Sequence, residues 1–376
     1  MREIMPAGRG FGKGGRVCVG MGHNSAMQTT STEIEFKLSC TPQAAGILAR
    51  HLSLLTGAAP QRLQLRNAYY DTEAQDLRAR GIALRIRHQR SGRKSVMLQT
   101  VKCAGQVSGG LSSRPEWETP YAGRFDFVAV SDKHVRQTLE TLHAKPGYRA
   151  LLDTGFARRV WHWQPEPGTH VEIALDQGHI GAGGKYERIC ELELELVSGP
   201  PTRLFDLAAH LGEIAPLFPT PLSKATRGSL LLAGEPPTLP AALHKSTGQT
   251  CEQAVAALLQ DCLDHIALHV PANREHFNAE DLHQIHVELC RLHDLLQQLR
   301  PLLRKHWPRR AIKDGAREHM QALTIANAHA YLSSPEFAYW LLHSNLALHA
   351  QPVRRKLRAQ KWPAAKPKDK RKERRA

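Results

Sequence analysis

The stretch "STEIEFKLSC", residues 31–40, alternates apolar and charged side chains. Successive side chains of a strand point to opposite faces, so Ile34, Phe36 and Leu38 share one face while Glu33, Glu35 and Lys37 share the other. A half-solvated antiparallel strand has this pattern too, so the other strands must decide what the charged face meets.

The pattern recurs along the first two thirds of the chain. "IALRIR" (82–87) sets Ile82, Leu84 and Ile86 against Arg85 and Arg87, and "ICELELELV" (189–197) sets Leu192, Leu194 and Leu196 against Glu191, Glu193 and Glu195. "RPEWE" aligns Arg114, Glu116 and Glu118, "VEIALD" aligns Glu172 with Asp176, and "FARRV" offers Arg158 or Arg159. Three glutamates spaced about 7 Å apart on one strand face repel one another, and a merely solvated face would alternate sign or use Thr and Lys. Strands that each pair an apolar face with a face of concentrated charge are accounted for by a closed barrel. The charged faces then line a water-filled lumen and helices cover the apolar exterior.

The remaining signals bound this reading. A chain of 376 residues can bury a sizeable core, and its length favours two domains. The formal net charge of +16 points to anionic partners, but its placement is uneven. Residues 354–376 hold 12 Lys plus Arg against 2 acidic residues, so +10 lies in this tail and +6 in the other 353 residues. The seven cysteines are scattered, odd in number and without CxxC spacing, as expected of reduced thiols in a cytoplasmic protein. No apolar run approaches the roughly 20 residues of a membrane helix. "GRGFGKGG" near the start lacks the GxxxxGK[ST] phosphate-loop spacing, because Gly14 follows Lys13 and no strand precedes it. Residues 1–29 are expected to be disordered or an over-extended start, with Met27 an alternative first residue.

"TPQAAGILARHLSLL" has Thr41 at an N-cap and Pro42 at the first helical position. Further strands are expected at "RLQLRNAYYD", "KSVMLQTVKCA", "THVEIALDQGHI" and "PLSKATRGSLLL", and helices at "SDKHVRQTLETLHA" and "TRLFDLAAHLGEIA". The polar, Pro-containing stretch 236–250 reads as a linker, 251–350 as an all-helical domain, and 351–376 as a disordered cationic tail. The fold class is therefore α+β, an antiparallel β-barrel tunnel with flanking helices followed by an all-α domain.

Clustered carboxylates without thiolate are hard ligands suited to Mg²⁺ or Mn²⁺, and clustered Arg and Lys grip polyphosphate oxygens. Here the residues carry a resemblance. Glu33-x-Glu35-x-Lys37, then "YYDT", "LRIR", "TVK", "RPEWE", "LDQG", "ELELEL" and "LSKATRG" in this order resemble the CYTH superfamily of triphosphate tunnel metalloenzymes, over residues 30–235. The resemblance implies an eight-stranded tunnel and metal-dependent chemistry on triphosphates. Carried over, Glu33, Glu35, Asp176, Glu191, Glu193 and Glu195 would hold metal, with the choice among the last three glutamates left open by their shared face. Lys37, Arg85, Arg87, Lys102, Arg158, Lys224 and Arg227 would bind phosphate, and Glu35, Lys37 and Glu116 would act in catalysis.

"EDLHQIHVELCRLHDLLQQLRPLL" resembles the start of a CHAD domain, with His283 at the family histidine. Positions that hold polyphosphate-binding arginines in that family carry His286, Cys290 and His293 here, only Arg291 is kept, and the domain looks shortened. The twelve histidines from His244 to His349 show no zinc spacing and read as ordinary helix-surface residues. The activity expected is hydrolysis of inorganic tripolyphosphate to pyrophosphate and phosphate. The alternatives are adenylate cyclase, thiamine triphosphatase or nucleoside triphosphatase chemistry in the same tunnel, or a non-catalytic polyphosphate-binding protein. The tail is expected to contact polyphosphate or nucleic acid nonspecifically. No membrane span is expected, and the sequence leaves the oligomeric state undetermined.

Overall fold

A computed structural model describes residues 31–237, 239, 250–274 and 276–349. The glycine-rich start, most of the linker and the basic tail lie outside the described residues. In chain order the first part contains β1 (Ser31–Ser39), α1 (Pro42–Thr56), β2 (Gln61–Asp71), α2 (Asp76–Ala79), β3 (Ile82–Ser91), β4 (Lys94–Cys103), β5 (Gln106–Ser108), β6 (Leu111–Pro120) and α3 (Lys133–Ala144). It continues with β7 (Arg149–Trp163), β8 (His170–Ala182), β9 (Lys185–Ser198), α4 (Thr202–Ile214), β10 (Phe218–Pro219) and α5 (Lys224–Ala233). Then come α6 (Cys251–His269), α7 (Ala279–Gln298), α8 (Arg309–Ala322), α9 (Ala328–Leu332) and α10 (Pro335–Leu348).

Eight strands close on themselves in the order β1-β9-β8-β7-β2-β3-β4-β6, with β6 pairing back onto β1, and every pairing is antiparallel. Closure removes sheet edges and forces each strand's alternation into an inside and an outside. The apolar outsides are covered in two places. Phe36, Leu38, Ile173, Leu175, Leu192 and Leu194 pack under α1 and α4 through Leu48, Leu52, Leu207 and Leu211. Leu84, Val101 and Trp117 pack under α3 through Leu139. Burying such Leu and Ile side chains contributes roughly 1.5–3 kcal/mol each, which is what holds the helices to the barrel.

One expected strand is a helix. "SKATRGSLLLA" begins with Ser223 as N-cap, its hydroxyl accepting the Thr226 N–H, and ends at Gly234 in the left-handed conformation with φ 68°. The β-branched and leucine residues of this stretch suggested a strand, but a capping hydroxyl three residues before Thr226 and a glycine stop are helix signals that outweigh them. The consequence is positional, because α5 delivers Lys224 into the barrel end-on.

The helical part packs against the barrel rather than standing clear of it. Phe218 of β10 belongs to the core formed by α6, α7, α8 and α10, and Leu342 of α10 belongs to the core under α1 and α4. A polar link accompanies the apolar ones. Asp264 of α6 accepts the Gly109 N–H at 3.0 Å and a Gln260 amide N–H at 2.9 Å, and Gly110 accepts the Lys37 N–H at 2.9 Å. No helix among the described residues is long and apolar enough to cross a membrane.

Removing the cap tests the corrected element. Ser223→Ala is expected to lower stability by about 1 kcal/mol, read as a shift of the urea midpoint at unchanged slope. A midpoint equal to that of the wild type would mean that the cap does not hold α5.

Candidate active site: a charged tunnel

The structure has two sizeable cavities, of about 740 and 440 Å³, and the wall of the smaller includes Glu33, Glu35, Lys37, Arg85, Arg87, Lys102, Arg114, Glu116, Arg158, Glu193, Glu195 and Lys224.

 The larger of these two cavities lies outside the barrel, between α5 and the turn after α6, and is lined mostly by apolar side chains such as Leu222, Leu230, Leu231 and Leu268. The smaller one is the tunnel, and its charges divide by wall.

In the closed strand order β9 and β3 stand four places apart of eight, so they face each other across the lumen. On the β9 side the register brings carboxylates into rows. Glu195 sits opposite Glu35 on β1 and opposite Glu172 on β8, and two inward positions deeper, past Glu193, Glu191 sits opposite Asp176. On the facing wall β3 turns Arg85 and Arg87 inward.

The deep row is filled by cations of the chain itself. Lys224 donates to Asp176 at 2.8 Å, to Glu193 at 2.9 Å and also to Glu191. Arg158 donates two bonds of 2.8 Å to Asp176 and one of 2.5 Å to Glu193. Arg227 holds Glu191 from behind at 3.0 Å and Glu187 at 2.6 Å, and lines the outer cavity instead of the tunnel. Asp176, Glu191 and Glu193 could together hold a metal ion by the spacing of their oxygens, but the Lys224 ammonium already makes contact with all three. Burial alone would raise Glu193, yet Lys224, Arg158 and Lys37 together hold it well below the usual carboxylate range.

The outer row is less compensated. Burial acting on Glu33 is outweighed by Lys102, at 2.7 Å, and Arg114, at 2.9 Å, so it stays ionised. Glu35 accepts from Arg114 at 2.5 Å and from the Ser112 hydroxyl at 3.0 Å, and also touches Lys37. Glu195 and Glu172 line the tunnel without a salt bridge among the described residues. Burial, reinforced by Glu33 and Glu172, pushes Glu195 up to about 7. Glu116 is likewise raised, by burial above all, although Lys102 lies 2.8 Å away.

The β3 wall has the opposite imbalance. Arg85 lies 3.7 Å from Glu116 and 3.8 Å from Glu118, and its buried Nε has no hydrogen-bond partner. Arg87 donates to Asn67 at 2.9 Å and reaches Glu118 only at 4.0 Å. Burial, with Arg85 and Arg158 nearby, lowers Arg87 to about 10. One wall therefore carries surplus negative charge and the other surplus positive charge. A hard divalent ion suits the first, because its donors are carboxylate oxygens with no competing ammonium at Glu195 and Glu172. A phosphate chain suits the second.

Sequence reasoning passed over Arg114, Glu118 and Glu172 as site residues. All three stood on charged strand faces, and that was the available signal; the partners that give them a role come from other strands. It also gave no sign of the apolar strip formed by Leu63, Leu65, Phe156 and Val160 along β2 and β7. In the helical part, Arg291 is paired with Asp261 at 2.8 Å, while His269 meets Asp281 at 2.8 Å. His283 and His286 are exposed.

The CYTH domain family matches residues 31–229. An inorganic triphosphatase of Haemophilus influenzae is 32% identical over 206 residues, which is 53% of this chain and 54% of that protein. The match thus spans about half the length of that curated relative. Among solved structures, a Hippeastrum protein described as having a dominant triphosphatase activity is 22% identical with a TM-score of 0.39, covering 55% of this chain and 98% of its own. The PH1819 protein of Pyrococcus horikoshii is 19% identical with a TM-score of 0.36, covering 54% and 99% respectively.

The raised Glu195 makes a pH prediction. Because its carboxyl binds a proton more tightly folded than unfolded, stability should fall as pH rises from about 4.5 to about 7. In metal-free protein, Glu195→Gln is expected to flatten part of this decline, on the order of 1–3 kcal/mol across the window. Parallel urea midpoints for variant and wild type at each pH would remove Glu195 as the titrating group.

Proposed function

The chain belongs to the CYTH domain family, and from that premise we propose that its tunnel hydrolyses inorganic tripolyphosphate to pyrophosphate and phosphate with a divalent ion, Mg²⁺ or Mn²⁺. The observation that carries the reading is the polarised lumen, with Arg85 and Arg87 under-compensated on one wall and Glu195 and Glu172 on the wall across from it. Glu195 and Glu172, with Glu33, Glu35 and Glu193 beside them, would hold the ion. Bound there, it supplies charge neutralisation and polarises phosphate oxygens.

The protein's own groups do the rest. Arg85 and Arg87 bind the phosphate chain, Lys102 and Lys37 can turn from their carboxylate partners toward it, and Arg158 stays with Asp176 and Glu193. The guanidiniums then neutralise charge that grows on the departing pyrophosphate, the main demand of phosphoryl transfer. Glu116, whose proton affinity burial has raised, is suited to accept a proton from the attacking water, and Glu35 keeps Lys37 placed. Lys224 and Arg158 keep the deep carboxylates neutralised, so the anion meets no bare negative charge there.

The lining favours an inorganic chain over a nucleotide or a thiamine ester. Its two aromatic rings are engaged: Tyr69 with Arg85, and Phe156 beneath Lys224 and Arg158 at 5.0 and 5.7 Å. Neither is free to stack on a base. The CHAD-like helical part is an accessory to the tunnel in this function, since its Arg291 is already paired with Asp261 and Glu288.

Phosphate release from tripolyphosphate, ATP and thiamine triphosphate, each with Mg²⁺, Mn²⁺ or EDTA, tests the reading. Turnover of tripolyphosphate alone, abolished by EDTA, is expected. Arg87→Ala and Glu195→Gln should each lower kcat/KM by about a hundredfold or more. Preference for an organic triphosphate would shift the assignment to another activity of the tunnel, and absence of any turnover would leave a binding protein.

A further inference from the structure

The two helical covers leave part of the barrel's outside bare, around β2. Residues that line the tunnel there, Gln61, Leu63 and Leu65 on β2 and Gln89 on β3, alternate with outward neighbours. Those neighbours are Arg62, Gln64 and Arg66 on β2, His88 and Arg90 on β3, and Arg159 on β7. Arg62, Gln64, Arg66 and Arg90 are exposed, and the other two half-buried.

Their register gathers basic side chains and sets one like-charged pair, Arg62 and Arg159, face to face. Arg62 stands directly opposite Arg159, Arg66 opposite His88, and Gln64 opposite Arg90. Like charges directly opposite across strands destabilise a sheet. Among the described residues none of Arg62, Arg66, Arg90 and Arg159 makes a salt bridge, whereas the tunnel's cations on the inner side of the same strands do. Arg159 is fixed by a 2.9 Å bond to Gln177, and burial together with Arg62 lowers its proton affinity. Between these side chains the surface is flat, because Gly155 and Ala157 are the outward residues of β7 beside Arg66 and Gln64. The outward acid of this sheet face, Asp153, lies at its far end opposite Ala68.

We propose that this outer face of β2, β3 and β7 is a second phosphate-binding surface, whose ligand is an inorganic polyphosphate chain longer than the tunnel's substrate. Guanidinium and amide donors match phosphate oxygens. A single-stranded nucleic acid would ask for aromatic platforms for its bases, and the centre of this face has none. The ligand identity rests on the triphosphatase reading, but the binding measurement does not depend on turnover.

The test compares binding of labelled inorganic polyphosphate of about 100 units to the full chain and to its Arg62→Gln/Arg66→Gln/Arg90→Gln variant, across salt. About a tenfold or greater loss of affinity and a shallower salt dependence are expected, with affinity regained in the corresponding triple Lys variant. A control lacking three exposed cations elsewhere, Lys133→Gln/Arg310→Gln/Arg317→Gln, should stay within about twofold of wild type. Tripolyphosphate kinetics are expected to be the same in all of them, and a failure of tripolyphosphate turnover in wild type would strike the tunnel reading alone. Equal losses in the Gln variant and the control would overturn the surface. So would a loss of single-stranded RNA binding as large as, or larger than, that of polyphosphate.

Discussion

Everything in the barrel depends on neutralising carboxylates that closure forces inward. Once β6 pairs with β1, the alternating glutamates of β1 and β9 have no outside to face. Unpaired buried charge costs several kcal/mol per ion, and a buried pair recovers this only with good geometry. The chain meets that constraint unevenly. Arg158 and Lys224 satisfy the deep row almost completely, while the outer row and the β3 wall retain opposite surpluses. The deep pairs are thus the structural part of the lumen, and the imbalance is the part available to a ligand.

This division also explains why the barrel tolerates its own electrostatics. The ion pairs are not its source of stability, since such pairs roughly break even against apolar replacements. Stability comes from the outside, where Phe36, Leu192 and Leu194 on the reverse of the charged faces are buried under α1 and α4. Each strand therefore divides its labour by face, and a substitution on one face need not disturb the chemistry of the other.

Strand faces were legible in the sequence because alternation is local: Glu33, Glu35 and Lys37 declare a common side without knowledge of any other strand. Closure followed from several such strands taken together. What stayed hidden was register. That Glu195 lies level with both Glu35 and Glu172 needs three strands aligned, and no single stretch contains that information. Lys224 was recognised as a basic residue of interest but put on a strand, since short leucine-rich runs serve helix and strand alike. Arg114 was seen beside Glu116 and Glu118, although its partners Glu33 and Glu35 belong to β1, a strand some 80 residues earlier that only barrel closure sets beside β6.

The bond from Gly109 to Asp264 gives the helical part a hold on the tunnel that the chain's linear order conceals. Gly110, the next residue, carries the backbone of Lys37, and Lys37 in turn accepts the Thr220 N–H at 3.0 Å. Burial raises the Asp264 carboxyl to about 7, even though the Gly109 N–H and the Gln260 amide donate to it. The position of the lysine-bearing strand and the packing of α6 are thereby fixed through one and the same turn of backbone, although more than 200 residues of chain separate them.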